Sequence, residues 1–277
     1  MEIRYLGTGG AEGFPSIFCQ CEACRKVRML LGKNVKPRSC TLVDEVMIDL
    51  SPDIFSQCIN SHVDLSEVNH LVFTHSHSDH LNTTEICFRL REMASVIQKK
   101  DKKVMEIYGN DAVRDGIMEI IAKDPHVDLT RMRFHRIQKF EPFRIGHLKF
   151  TPLKAYHKLD EEALIFVIED GRSTLLYAND TGVFPEETLD FIEQQNIKFD
   201  VVSMDTCRGT LDGDTHMGIR ENVELRERLR RMHAVTPDTE YYLNHYSHMC
   251  GMIPQEYERL VGQEGFLLTY DGLSVTV

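Results

Sequence analysis

The sequence predicts a single α/β domain in which many short strands alternate with helices. Short apolar runs bounded by glycine, proline or aspartate recur along the chain, and stretches of helical periodicity lie between them. The 277 residues are 42% hydrophobic, which is enough for a full core, and they show no repeat, low-complexity segment or linker. We therefore expect one domain over 1–277.

The first half of the chain predicts four strands and three helices. Ser51 is expected to cap the first helix, with Pro52 in its first turn. Apolar residues at helical spacing predict a second helix over 83–98 and a third around 113–121. The strands are expected at 2–10, 46–50, 69–74 and 104–109.

The second half continues with strands at 132–137 and 143–157, then a hairpin over 163–180 that turns at Asp170-Gly171. A helix opens at Pro185, a strand follows at 199–206, and a charged helix spans 219–233. After a strand at 239–245, a second hairpin is predicted over 266–277, turning at Asp271-Gly272.

Charge and composition exclude several classes of protein. The formal net charge of −11 disfavours binding to long nucleic acids, which requires a positive surface. The N-terminus resembles a first strand more than a signal peptide, and no window is apolar enough for a membrane span. We therefore expect a cytoplasmic protein whose thiols stay reduced, and a homodimer is compatible with this expectation.

The strongest motif is FTHSHSDHLN at 73–82, which directly follows an apolar strand. In an extended segment alternate side chains share a face, so His75, His77 and Asp79 can point into one pocket. His80 joins them if the chain turns there. These side chains suit one metal ion or two, and the spacing alone leaves both open.

The segment THSHSDH resembles the metal-binding motif of the metallo-β-lactamase superfamily. That resemblance implies a four-layer αββα sandwich and further ligands at strand ends, where His157, Asp180 and His245 stand. It implies two divalent metals, manganese, zinc or iron, that hydrolyse substrate through a bridging hydroxide. One metal would take His75, His77, His157 and Asp180, and the other Asp79, His80, Asp180 and His245.

Three cysteines, Cys19, Cys21 and Cys24, crowd into the segment 17–28. A reduced compartment favours a metal over a disulfide, and a closed zinc site needs a fourth ligand. His248 lies three residues after His245, so in an extended stretch it would face away from the active-site metals. The sequence predicts a structural Cys₃His zinc site in an N-terminal loop, with ordinary loop thiols as the alternative.

The N-terminal segment, HYSH at 245–248 and the terminal YDG together resemble the family of phosphoribosyl cyclic phosphodiesterases of the carbon–phosphorus lyase pathway. This resemblance implies hydrolysis of small phosphodiesters, and of cyclic ribose phosphates above all. It also implies a general acid at His216, in the loop 205–219, with Asp79 counted among the catalytic residues. The alternative for His216 is a side chain that merely faces solvent. Arg208 in the same loop is expected to bind a phosphate.

Three alternatives share this fold. The pyrroloquinoline quinone biosynthesis family is similar in its N-terminal cysteine segment and would make the chain an iron-dependent oxidative enzyme. A tRNA-processing ribonuclease shares the active site, but the chain shows no basic, glycine-rich arm. The third alternative is a metal-binding module without catalysis. The complete ligand set, including Asp180, favours the hydrolase.

Overall fold

The computed structural model describes residues 1–277 and contains fourteen strands and seven α-helices. The strands are β1 (Glu2–Gly7), β2 (Cys40–Val43), β3 (Val46–Ile48), β4 (His70–Val72), β5 (Met105–Gly109), β6 (Met132–Arg136), β7 (Phe143–Ile145), β8 (Leu148–Lys154), β9 (Leu164–Glu169), β10 (Thr174–Ala178), β11 (Phe199–Asp205), β12 (Val235–Asn244), β13 (Leu267–Leu268) and β14 (Leu273–Thr276). The helices are α1 (Glu22–Leu30), α2 (Ile54–Ser61), α3 (Thr83–Leu90), α4 (Asp111–Ile121), α5 (Glu186–Gln194), α6 (Ile219–Arg231) and α7 (Pro254–Gln263).

The strands form two seven-stranded sheets, in the orders β14-β1-β2-β3-β4-β5-β6 and β13-β12-β11-β10-β9-β8-β7. Apolar side chains of the two inner faces, among them Tyr5, Ile48, Phe150 and Phe166, pack together into one buried core. Helices α2, α3 and α4 cover the outer face of the first sheet. Helices α1, α5, α6 and α7 cover the outer face of the second. The predicted αββα sandwich is confirmed.

Parallel strands bring the functional loops to one edge of the sandwich. In the first sheet β3, β4 and β5 run parallel, and in the second β10, β11 and β12 do. Because parallel strands end at the same edge, the loops that follow them meet there. The hairpin predicted over 163–180 is confirmed by the antiparallel pairing of β9 with β10.

The hairpin predicted over 266–277 is wrong. Strand β13 pairs parallel with β12 in the second sheet, whereas β14 pairs antiparallel with β1 in the first. The turn residues are present, since Gly272 has a φ of 85° and its amide donates to the Tyr5 carbonyl. A turn signal does not say which strand comes next to which, and here the turn carries the chain from one sheet to the other.

Two predicted helices have different bounds. Helix α2 begins at Ile54 rather than near Pro52, because Ser51 Oγ accepts from the Asp53 amide and holds a turn before the helix. Helix α3 ends at Leu90 rather than at residue 98. Beyond Leu90 the apolar residues find no core, and Met93 is 96% exposed. None of the helices combines the length and apolarity needed to cross a bilayer.

Candidate metal centre

Every predicted active-site ligand follows a strand, and all of these strands end at the same edge of the sandwich. The loop after β4 supplies His75 to His80, and the ends of β8, β10 and β12 supply His157, Asp180 and His245. His245 takes a left-handed conformation with φ 61°, which turns the chain immediately after β12. Apart from the partly exposed His77, these ligand residues are buried.

One donor set consists of His75, His77, His157 and Asp180, whose potential ligand atoms all lie within 4.8 Å of one another. His75 Nε2 and His157 Nε2 each lie 2.9 Å from His77 Nδ1. Asp180 Oδ2 lies 3.4 Å from His75 Nε2. The four side chains therefore converge on one point.

A second donor set consists of Asp79, His80, Asp180 and His245. His80 Nε2 lies 3.0 Å from Asp180 Oδ2 and 3.1 Å from Asp79 Oδ2. His245 Nε2 lies 3.5 Å from the same Asp180 oxygen. Asp180 belongs to both sets, so one carboxylate lies between two groups of ligands.

Buried polar atoms without partners indicate that these sets suit cations. His80 Nε2, Asp180 Oδ1 and both ring nitrogens of His245 are buried and have no hydrogen-bond partner. Such atoms cost free energy unless something satisfies them. Imidazole nitrogens and carboxylate oxygens are ligands that zinc, manganese and iron accept, so the donor set fits divalent metals.

The charges within the site favour ionised carboxylates. Burial would raise the pKa of Asp180, but the imidazoles of His245 and His157 hold it well below its ordinary value. Burial would lower the pKa of His80, but the carboxylates of Asp79 and Asp49 raise it well above its ordinary value. A cation held by the second set would have to displace any proton from His80 Nε2, because a ligating histidine must be neutral.

Asp49 orients His80 from behind. His80 Nδ1 donates to Asp49 Oδ2 at 2.7 Å, and the Thr74 amide donates to Asp49 Oδ1 at 2.8 Å. Asp49 is buried and follows β3, the strand next to β4. Such a partner fixes which ring nitrogen points to the metal and how the ring is oriented.

Replacing Asp49 by alanine should lower metal affinity by roughly 10- to 100-fold, because His80 loses the group that orients it. Titration of manganese or zinc against a competing chelator measures the change, and circular dichroism checks the fold. Asp160, a carboxylate 77% exposed in the neighbouring loop, provides the control, and Asp160→Asn should leave affinity unchanged. Equal affinities of Asp49→Ala and the parent would contradict the orienting role.

His216 lies beside both donor sets. Its Nδ1 is 2.9 Å from Asp205 Oδ2 and 3.1 Å from Asp180 Oδ1. Burial opposes its charge, but the Asp205 carboxylate outweighs burial and raises the pKa of His216 to about 11. The ring is partly accessible, with 19% of the side chain exposed, and the neighbouring carboxylates favour its protonated form.

Arg208 does not point into the metal pocket. Its Nε donates to the Asp212 carbonyl at 3.1 Å, and its Nη1 lies 3.6 Å from Asp214, so the guanidinium is held within its own loop. The pocket at the metal edge has a volume of about 110 Å³. Its walls are Ala11, Glu12, His77, Asp79, His157, Asp180, Cys207, His216, His245 and Met249.

Sequence reasoning missed two carboxylates that hold the site. Asp205 is fully buried at the end of β11 and accepts from the amides of Cys207 and Met217 as well as facing His216. Like Asp180, Asp205 stands at the end of a strand, and that position is the feature of the sequence from which its role could have been predicted. Glu161 accepts from the amide and hydroxyl of Ser76, each at 2.9 Å, and no pattern in the sequence indicates it.

The three clustered cysteines and His248 also come together in the structure. Cys19, Cys21, Cys24 and His248 form one group of potential ligands, and His248 Nδ1 lies 3.4 Å from Cys19 Sγ and 3.9 Å from Cys21 Sγ. Ligands of a tetrahedral zinc with bonds of about 2.0–2.3 Å are separated by roughly 3.5–4 Å, so these distances suit zinc.

Local structure around the cluster differs from the sequence expectation. The segment 17–28 is a loop only up to Cys21, which caps α1 by accepting from the Cys24 amide. His248 begins a short 3₁₀ turn, and His245 is left-handed, so the stretch between them is not a regular strand. His248 faces the cysteines because the chain turns, and alternation along a strand is not the cause.

Two groups of histidines and aspartates that share one carboxylate, at one edge of an αββα sandwich, are typical of metal-dependent hydrolases. A model of the β-lactamase superfamily domain matches residues 44–245. The chain therefore belongs to the β-lactamase superfamily.

Solved structures share the whole fold at low sequence identity. A diphosphatase from the PhnP family has a TM-score of 0.74 and 20% identity, with 100% of this chain and 97% of that chain covered. Zinc-bound PqqB from Methylobacterium extorquens has a TM-score of 0.68 and 15% identity, with full coverage of both chains. The short form of human tRNase Z has a TM-score of 0.67 and 15% identity, covering 100% of this chain and 99% of that chain.

A curated relative matches only part of the chain. An octanoyltransferase from Porphyromonas gingivalis is 25% identical over 164 residues, which are 57% of this chain and 31% of the relative. The chain thus spans about a third of the length of the curated relative that it matches.

Proposed function

We propose that the two donor sets form a binuclear metal centre that hydrolyses small phosphodiesters, with a five-membered cyclic phosphate on a ribose as the favoured substrate. The observation that carries the proposal is the position of Asp180. One of its oxygens lies near His75, His80 and His245, and the other lies 3.2 Å from His157 Nδ1. A carboxylate shared between two metals is suited to holding them close together.

Two divalent cations at such a centre supply an activated water and neutralise charge on the phosphate oxygens. Three histidines and Asp180 would hold one cation, and two histidines, Asp79 and Asp180 would hold the other. Asp49 fixes the His80 ring, and Glu161 fixes the backbone and hydroxyl of Ser76. The site is thereby preorganised before substrate arrives.

His216 is the proposed proton donor to the leaving oxygen. A sugar alkoxide is a poor leaving group unless a proton or a metal neutralises it. The Asp205 carboxylate is 2.9 Å from His216 Nδ1, and the imidazole is partly accessible from the pocket. Asp205 thus acts through His216, by orienting the ring and stabilising its charged form.

The pocket supports a small substrate rather than a long polyanion. No lysine or arginine belongs to its walls, and the formal net charge of the chain is −11. Long nucleic acids are gripped by basic grooves. We therefore favour a diester that bound metals would recognise. Arg208 lies outside the pocket walls and is not proposed as the phosphate contact.

The cysteine cluster and His248 are proposed to hold a structural zinc. The ligand distances suit a closed tetrahedral site, and the cluster joins the first loop to the segment that carries His245. We also propose a cytoplasmic location, because thiols stay reduced there and remain able to bind a metal.

A substrate panel tests the proposed function. The metal-loaded protein should hydrolyse ribose cyclic phosphates, nucleoside cyclic phosphates and linear aryl diesters, assayed separately with manganese and with zinc. Diphosphates, thioesters and lactams complete the panel. Turnover of thioesters or lactams without any diester would overturn the assignment, and metal binding without any turnover would favour a non-catalytic module. Oxygen consumption with iron would favour the oxidative alternative.

Replacing His216 by alanine should affect diesters according to their leaving group. Hydrolysis of an alkoxide-leaving diester should fall by roughly a hundredfold or more, because the departing oxygen loses its proton donor. Hydrolysis of a nitrophenolate-leaving diester should fall much less, because that anion leaves unaided. The kcat ratios of the two substrates measure the effect, and equal losses would rule out the donor role.

A further inference from the structure

A tight turn beyond the end of β1, over residues 10–13, lies against the metal centre. Its Gly13 amide donates to the Gly10 carbonyl at 2.9 Å, which closes the turn. A Cβ on Gly10 would lie 3.4 Å from His245 Cε1, so the turn packs directly on a histidine of the second donor set. The turn carries Glu12, which forms part of the wall of the metal pocket.

The 10–13 turn is braced from outside the pocket by Arg38. The Nε of Arg38 donates to the Ala11 carbonyl at 2.8 Å. Its Nη1 donates to both carboxylate oxygens of Asp53, at 2.9 and 3.0 Å. The cation that contacts the turn is therefore already paired, and it fixes the backbone from which Glu12 projects.

The carboxylate of Glu12 is free at the mouth of the pocket. Glu12 is exposed and takes part in no ion pair or hydrogen bond through its side chain, and Met249 in the same wall is 37% exposed. Burial raises the pKa of the Cys207 thiol, deeper in the pocket, and the surrounding carboxylates, Glu12 among them, add to the effect. The negative charge of Glu12 thus acts on the interior of the pocket.

A substrate larger than its reacting group must extend to this mouth. The pocket measures about 110 Å³, and benzene occupies an engineered cavity of about 150 Å³. A cyclic phosphate at the metal end would therefore place the substituents of its sugar near Glu12. No cation receives them there, since Arg208 is held within its own loop and Lys158 donates to both oxygens of Asp160 at 2.8 Å.

We propose that Glu12 determines substrate specificity, by accepting hydrogen bonds from sugar hydroxyls and by repelling a second phosphate. The inference rests on the proposed function and narrows its substrate to a ribose cyclic phosphate with a free 5-hydroxyl. A carboxylate is a strong acceptor for hydroxyl groups. Like charges about 7 Å apart in a partly solvated pocket repel enough to weaken binding roughly tenfold.

The experiment compares two compounds that differ only at one position, ribose 1,2-cyclic phosphate and its 5-phosphate. At low ionic strength the parent protein, loaded with manganese, should have a kcat/KM roughly tenfold or more higher for the compound with the free hydroxyl. Glu12→Gln keeps a hydrogen-bond acceptor but removes the charge. It should reduce this preference to about twofold or less, and the change should come from a lower KM for the 5-phosphate.

Two comparisons separate this charge effect from a structural one. Added salt should diminish the preference in the parent but not in Glu12→Gln, because exposed charges are screened. Glu45→Gln makes the same substitution in the turn between β2 and β3, where the side chain is 69% exposed and lines no part of the pocket. It should keep the preference of the parent.

A parent that prefers the 5-phosphate would overturn the proposal, as would an unchanged preference in Glu12→Gln or an equal change in Glu45→Gln. If the parent hydrolyses neither compound, the proposed hydrolysis is wrong, and calorimetric binding of both compounds to the metal-loaded protein decides about Glu12. Tighter binding of the free-hydroxyl compound that is lost in Glu12→Gln supports the proposal. Equal affinities, or no binding of either compound, contradict it.

Discussion

Replacing Asp180 by alanine should lower diester hydrolysis by roughly a thousandfold or more and reduce the metal content at both donor sets. The carboxylate belongs to both sets, so its removal takes a ligand from each metal at once. Removal also takes away the carboxylate oxygen that lies 3.0 Å from His80 Nε2 and 3.5 Å from His245 Nε2. Metal analysis after gel filtration and steady-state rates measure the two losses.

A variant of one set alone provides the comparison for Asp180. His77→Ala removes a ligand only from the first set, so it should weaken one metal and leave the second bound. Asp180→Ala should therefore release more metal per chain than His77→Ala does. If Asp180→Ala keeps both metals or retains near-normal turnover, the bridging assignment is wrong.

Replacing Cys21 by serine should remove one equivalent of zinc and lower the melting temperature by roughly 10 °C or more, since structural zinc contributes directly to folding. The substitution isolates the metal because serine can still accept from the Cys24 amide at the start of α1. The helix cap is thereby preserved while the thiolate ligand is lost. Zinc analysis and thermal unfolding measure the outcome.

The control for Cys21 is Cys58, a free, half-buried cysteine on α2 that belongs to no cluster of potential ligands. Cys58→Ser should leave the zinc content unchanged. Unchanged zinc and unchanged melting in Cys21→Ser would show that the cluster holds no structural metal. Loss of zinc in both variants would point to general unfolding rather than to the site.

The fold class and the grouping of the donor residues could be predicted from the sequence because both depend on local signals. His75 to His80 stand within six residues after one apolar strand, and His157, Asp180 and His245 each follow a strand. The end of a strand can be recognised in the sequence, because an apolar run stops there. The sandwich was then predicted from the resemblance of these residues to the metal-binding motif of the metallo-β-lactamase superfamily.

The rest depends on which strands lie side by side, and no local signal gives that. Asp49 contacts His80 because β3 and β4 are parallel neighbours, and Asp205 contacts His216 because the loop after β11 folds back. The end of α3 was predicted wrongly because Met93 continues the helical pattern of Ile86 and Leu90 but lies exposed, with no layer to pack against. The final hairpin was predicted wrongly because turn residues do not determine in which sheet the next strand pairs.

The pairing of β1 with β14 determines where additional protein can be attached. Glu2 lies opposite Thr276, and the N-terminal amine lies 2.9 Å from Asp170, in the turn between β9 and β10. Gly10, beyond the other end of β1, lies against the His245 ring. Both termini therefore leave the sandwich at the edge opposite the metals. A tag, a surface linkage or a fused domain at either end leaves the entrance to the pocket open, so the protein can be immobilised through its ends and assayed with substrate approaching from the free side.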